Sequence, residues 1–159
     1  MFLTRNDIAP ETRVKVIALL NAQLADEVDL HSQTKFAHWN VKGPQFIALH
    51  KLFDELAEKL DEHIDELAER VTALGGVATG TIRQAATASR VAEFPATAIH
   101  GHAVLTALAD RYAAVGKTTR AAIDESDKLG DKGTADLFTG ISRDLDQSLY
   151  FLEAHLSSE

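Results

Sequence analysis

The sequence predicts an all-α fold, a four-helix bundle whose second and third helices are joined by a long crossover. Three observations carry this. Apolar residues recur at three- and four-residue steps over four long stretches. The 3 prolines and 9 glycines of the 159 residues gather where those stretches stop. No alternating strand pattern, internal repeat or low-complexity tract competes.

The first stretch opens at Pro10, a residue suited to a first helical turn, and carries Val14, Ile17, Leu20, Leu24, Leu30 and Phe36 until Gly43-Pro44 breaks it. The second is the clearest: Leu49, Leu52, Phe53, Leu56, Leu60, Ile64, Leu67, Val71 and Leu74 form one stripe that ends at Gly75-Gly76. From about Val77 to Phe94 the chain is rich in Ala and Thr with weaker periodicity, as expected of a crossover holding a short extra helix. After Pro95 a third long helix passes through Leu108, Tyr112, Val115 and Ile123 to Leu129-Gly130. The fourth, from Thr134, carries Leu137, Phe138, Ile141, Leu145, Leu149 and Leu152. Residues 1–159 thus read as one domain, with a short tail over 1–9.

Composition removes several classes. Hydrophobic residues at 45% and charged residues at 25% argue against disorder. No apolar run approaches the ~18 residues of a membrane span, and Met1 to Asp7 shows no secretory signal. Cysteine is absent, which removes disulfides and thiolate metal sites and fits a reducing, cytoplasmic setting, with nucleoid association as a variant of it. A net charge of -8 disfavours binding to nucleic-acid phosphates and favours handling cations.

The second helix has a second face. His50, Asp54, Glu58, Asp61, Asp65 and Glu69 lie roughly opposite its apolar stripe, so these ligand-type side chains point away from the bundle core. His50 with Asp54, and Asp65 with Glu69, are each one turn apart and able to share an ion. Asp54 and Asp65 are separated by about 16 Å along the axis, too far for one ion. Yet positions 50 and 69, 54 and 65, and 58 and 61 are each equidistant from a point between Lys59 and Leu60. Two copies of this helix packed antiparallel about a twofold axis there would turn two half-sites into two complete ones. Imidazole and carboxylate without sulfur suits Fe, Mn or Zn, and carboxylates favour the higher oxidation state of iron. A solvated polar face is the alternative. His63 falls toward the apolar stripe and reads as a core or boundary histidine. His31, His100, His102 and His155 show no ligand partner and read as surface or structural. His38 ends the first helix, where a histidine also complements the helix dipole.

The run Ala37-His38-Trp39-Asn40-Val41-Lys42-Gly43-Pro44-Gln45-Phe46, followed by His50-Lys51-Leu52-Phe53-Asp54-Glu55, resembles the signature of the Dps family, ferritin-like proteins named for DNA protection during starvation. The likeness continues through Asp65-Glu66-Leu67-Ala68-Glu69-Arg70, Leu74-Gly75-Gly76 and Ser142-Arg143-Asp144-Leu145-Asp146. It implies a ferritin-like subunit in a hollow shell of twelve, with ferroxidase sites shared between subunits. His38, His50 and Asp54 would come from one chain, Asp65 and Glu69 from its twofold partner. Trp39 matches the tryptophan beside the site, either relaying oxidising equivalents or packing its ring. Glu58 and Asp61 assist a second iron or are simply solvated. Asp127, Asp131 and Asp136 flank the last helix turn and either line a threefold iron pore or complement the helix dipole. The implied chemistry is oxidation of Fe²⁺, with hydrogen peroxide preferred over O₂, and storage of Fe³⁺ as a mineral.

On DNA the sequence departs from family members with Lys/Arg-rich tails. Its first nine residues hold one basic side chain, Arg5, and Leu156 to Glu159 hold none. Twelve copies at -8 each carry -96. Direct DNA binding is expected to be weak or absent. A nucleoid-compacting shell with a secondary metal site is the competing function, and a plain bundle with an interface zinc a third.

Overall fold

The computed structural model describes residues 1–157. Within them the chain forms α1 (Pro10–Asn40), α2 (Phe46–Ala73), α3 (Ile82–Ala88), α4 (Gly101–Lys128) and α5 (Lys132–Ala154). Short connections make α1/α2 and α4/α5 two antiparallel pairs. They stack through α1 on α4 and α2 on α5, and α3 lies across α1. The all-α bundle with a short helix in its crossover is the expected one. Ser158 and Glu159, part of the C-terminal end that holds no basic residue, lie outside the described residues.

The core follows the apolar stripes: Leu20, Leu24 and Leu30 of α1, Phe53, Leu60 and Leu67 of α2, Leu108 and Tyr112 of α4, and Phe138, Leu145 and Leu152 of α5 are fully or nearly fully buried. Val14 is the exception, for it lies exposed on α1. α4 also starts later than Pro95 suggests. Residues 95–100 form a turn in which Ala98 donates to Pro95 O, and Lys42 donates to Ile99 O, tying the start of α4 to the α1–α2 connection. The 1–9 segment is held too: Phe2 N donates to Gly75 O at 2.7 Å, and Ile8 packs against the core. Gly75 ends α2 at φ 85°, and a Cβ there would meet Phe2 O at 2.9 Å, so only glycine fits.

The crossover is fixed by polar contacts rather than by apolar periodicity. Arg90 Nε and backbone N donate to the two carboxylate oxygens of Asp26, which is 1% exposed, and Ser89 donates to Asp29 at 2.6 Å. At the α4–α5 turn, Asp131 is buried at 2% exposure. It caps α5 by accepting from Thr134 N and takes two hydrogen bonds from Arg70. Of the two readings given for Asp131, helix-end residue or pore residue, the contacts described here are those of the first: its carboxylate is used inside the subunit. Asp127 pairs with Lys132, and Asp136 is exposed.

One charged group sits in the core itself. Glu27 of α1 is 0% exposed, and neither of its carboxylate oxygens has a hydrogen-bond partner. Its Oε2 lies 3.5 Å from Nδ1 of buried His63, whose Nε2 is 3.3 Å from Asp144 of α5. His63 is the core histidine expected. Burial pushes Glu27 up against the opposing pull of His63. Burial alone would push His63 down, but Glu27 and Asp144 outweigh it and hold it above the ordinary histidine value.

A raised folded pKa means this imidazole stabilises the subunit in full below the ordinary value of 6.5, and that contribution is lost as pH rises through the folded value. Removing one member strands a buried charge, at a cost of roughly 3 kcal/mol. Glu27→Leu or His63→Leu alone should therefore lower the melting temperature more than half as much as the double variant does, and the gap should narrow on the alkaline side. Calorimetry at matched subunit concentration measures this; additive effects would show that the two side chains do not interact.

Candidate metal centre

The faces of α2 divide as its sequence dictates. Leu49, Phe53, Leu56, Leu60, Leu67 and Val71 are buried, whereas Glu58, Asp61, Asp65 and Glu69 are exposed. His50 and Asp54 are half-buried because the last turns of α1 lie against them. His38, in the final turn of α1, is buried there.

His38 and His50 hold each other. Nδ1 of His38 lies 2.7 Å from the backbone carbonyl of His50, and Nδ1 of His50 lies 2.9 Å from that of His38. A carbonyl only accepts, so both Nδ1 atoms carry protons, and Nε2 is the nitrogen through which either ring in its neutral form would bind a metal. The rings stack at 3.8 Å with 20° between their planes, and Phe46 covers His50 at 5.1 Å. Each ring is thus set in the tautomer that binds a metal, by the backbone of the neighbouring helix.

Asp54 completes the cluster, with its Oδ1 3.9 Å from His38 Nε2. The same oxygen takes a 2.5 Å hydrogen bond from Lys35 Nζ. That bond, reinforced by His38 and His50, holds the Asp54 carboxyl below its usual range. An arriving cation meets an ionised carboxylate already occupied by an ammonium group.

Of the five expected ligands, the fold brings together His38, His50 and Asp54. Asp65 and Glu69 lie on the same α2 face about three turns further on, away from that cluster. Among the described residues no group of three or more His, Asp or Glu side chains stands ready to hold an ion within one chain. Trp39, next to His38, is exposed. Sequence reasoning missed two contacts. Lys35 on Asp54 had no signal beyond its place three residues before His38. His31 approaches Asp61, Nε2 to Oδ1 at 3.3 Å, so it does have an acidic partner; its position seven residues before His38, on the same face of α1, was the available clue.

Residues 17–158 match the Ferritin-like domain family model. The chain is 47% identical, over 98% of its length and 96% of the relative's, to a DNA protection during starvation protein of Agrobacterium fabrum. The Mycobacterium smegmatis Dps structure superposes with a TM-score of 0.94 at 31% identity, covering 99% of this chain and 95% of that one. A Vibrio cholerae Dps, described as a member of a broad superfamily of ferritin-like diiron-carboxylate proteins, does so at 0.91 and 26% identity, covering 99% and 98%.

Replacing Lys35 removes the positive charge that a cation must displace. Lys35→Met should raise Co²⁺ affinity several-fold at low ionic strength, with the gain shrinking as salt screens the site. Anaerobic calorimetric titration at two salt concentrations checks this; unchanged affinity would show that the ammonium moves aside without cost.

Proposed function

Since the chain belongs to the Dps family of ferritin-like proteins, we propose that it oxidises Fe²⁺ at sites shared between subunits and stores the Fe³⁺ inside a shell of twelve. The observation that carries this reading is the half-site: two imidazoles locked with Nε2 free and an ionised Asp54 beside them. Three donors do not complete a coordination sphere. Antiparallel pairing of α2 with its twofold copy brings Asp65 and Glu69 of the partner subunit to His38, His50 and Asp54, and supplies the missing carboxylates.

Two imidazoles bind Fe²⁺ well, and hard carboxylates stabilise Fe³⁺, so the donor set lowers the barrier to losing an electron. Two Fe²⁺ ions supply the two electrons that cleave the O–O bond of one hydrogen peroxide. With two protons the oxygens leave as water, and no hydroxyl radical escapes. O₂ serves as the slower oxidant. The ferric product hydrolyses and deposits in the cavity, with Asp127 and Asp136 offering carboxylates at an entry pore. In the cytoplasm this removes both reagents of radical formation at once. Trp39, one residue from His38, is placed to intercept a stray oxidising equivalent.

The reading predicts that Asp65→Ala combined with Glu69→Ala abolishes rapid oxidation but leaves the particle intact. Ferric absorbance after anaerobic Fe²⁺ loading and peroxide addition, together with sedimentation, tests both halves. A wild-type initial rate would remove these two residues from the site, and a stable monomer at micromolar concentration would remove the shell.

Direct DNA binding should be weak. The 1–9 segment is tied down at Phe2 and Ile8 and carries one basic residue, so it cannot act as a mobile basic arm. Phosphate affinity needs such charges and falls with salt by a slope of about 0.9 per contact. Supercoiled plasmid at roughly 150 mM salt with chelator, near the physiological range where that screening acts, should run unretarded in a gel. Complete retardation at small molar excess would instead favour a nucleoid-compacting role.

A further inference from the structure

The bundle core has its own place for a cation, formed by one chain alone. We infer that Glu27 of α1 and His63 of α2 chelate a Zn²⁺-type divalent ion inside the subunit. The inference does not depend on the centre shared between subunits.

Glu27 is 0% exposed and His63 2%. Three of their polar atoms, both Glu27 oxygens and His63 Nδ1, have no hydrogen-bond partner. Buried polar groups are nearly always paired, and a buried carboxylate is the costliest to leave alone. Among the described residues no lysine or arginine pairs with Glu27. Arg90 is engaged with the neighbouring Asp26, and Lys59 with Glu62 and Asp144.

The orientation of the imidazole decides what fits between the two side chains. His63 Nε2 lies 3.3 Å from Asp144 Oδ2 on α5, an oxygen that Lys59 Nζ also approaches at 3.3 Å. A carboxylate only accepts, so Nε2 carries the proton of the neutral ring and Nδ1 turns a lone pair toward Glu27. Acceptor then faces acceptor. Their separation of 3.5 Å exceeds the roughly 2.7–3.2 Å of an N–H···O bond. It matches two ligands of one ion: at about 2.1 Å from each, an ion subtends about 113°, close to the tetrahedral angle. A ligating histidine is commonly fixed by a carboxylate on its other nitrogen, and Asp144 fills that role.

The second Glu27 oxygen can bind as well, so two side chains supply three donor atoms and leave one position for water. Nitrogen and oxygen donors in this geometry suit Zn²⁺, which such ligands bind more tightly than Fe²⁺ or Mn²⁺. Zn²⁺ has no redox chemistry, and both ligands are shut off from solvent. The centre is therefore structural: it neutralises the Glu27 carboxylate and pins α1 to α2 within the core.

The test uses Zn²⁺ as the only added metal, supplied in the growth medium so that it is present as the chain folds. Gel filtration of the assembled protein removes loosely held ions before metal analysis. The Asp65→Ala, Glu69→Ala background silences the shared centre. One retained Zn²⁺ per chain is expected there, with an anomalous peak between Glu27 and His63 in crystals. Glu27→Gln should lower the stoichiometry by one per chain, while its amide donates to Nδ1 and keeps the core paired. Should that variant fail to assemble, the crystals without it still decide. Crystals with no peak between Glu27 and His63, or unchanged stoichiometry in Glu27→Gln, overturn the inference and leave a proton as the link. Zn²⁺ found there in a chain whose α2 faces stay apart would support this centre and sink the shared one.

Discussion

Everything at the histidine–carboxylate face depends on the register of α1 against α2, and two imidazoles secure that register at its open end. Because each gives its Nδ1 proton to the other's backbone carbonyl, neither helix can slide without breaking both bonds. Further along the same helix pair, Glu27 meets His63 on the inner side and His31 meets Asp61 on the outer side. Shifting α1 by one residue would rotate its side chains by about 100° and lose all of these contacts together. The packing of leucines holds the helices together; the histidines decide where they stop.

The acidic outer face has a cost that the single subunit cannot offset. From Asp54 to Glu69 it carries carboxylates that repel one another when solvated and do so more strongly when brought close. A sequence selected only for a stable bundle has no reason to keep them. On the function proposed above, metal ions and a second chain would turn the liability into a site and couple assembly to ion supply, because each cation taken up would remove some of the repulsion between partners.

How much was legible in the sequence follows from how local each signal is. The apolar stripes of α2 and α5 announced their helices and buried faces, because a 3.6-residue period is written in consecutive positions. The start of α4 was not legible from Pro95, since a hydrogen bond from Lys42, far away in the chain, holds residues 95–100 in a turn. Asp131 showed the same limit. Its acid was visible, but its burial under Arg70 of another helix was not. On the polar face of α2 the candidate ligands stood out by type and spacing. The reciprocal imidazole lock, Lys35 on Asp54 and His31 on Asp61 all need the three-dimensional meeting of α1 with α2, which no single helix encodes. The contribution proposed for a partner subunit goes a step further, as it would belong to a contact between chains.

Trp39 is the sole tryptophan in the chain, 68% exposed, and sits one residue after His38. All indole fluorescence of the native protein therefore originates beside the His38–His50–Asp54 cluster, and needs no label to be assigned. Its emission wavelength reports whether that face meets water or another chain. Its intensity reports unpaired electrons nearby, since paramagnetic iron quenches an adjacent indole. The residue thus provides a built-in optical readout of both association and metal arrival, with the two separable by colour and brightness.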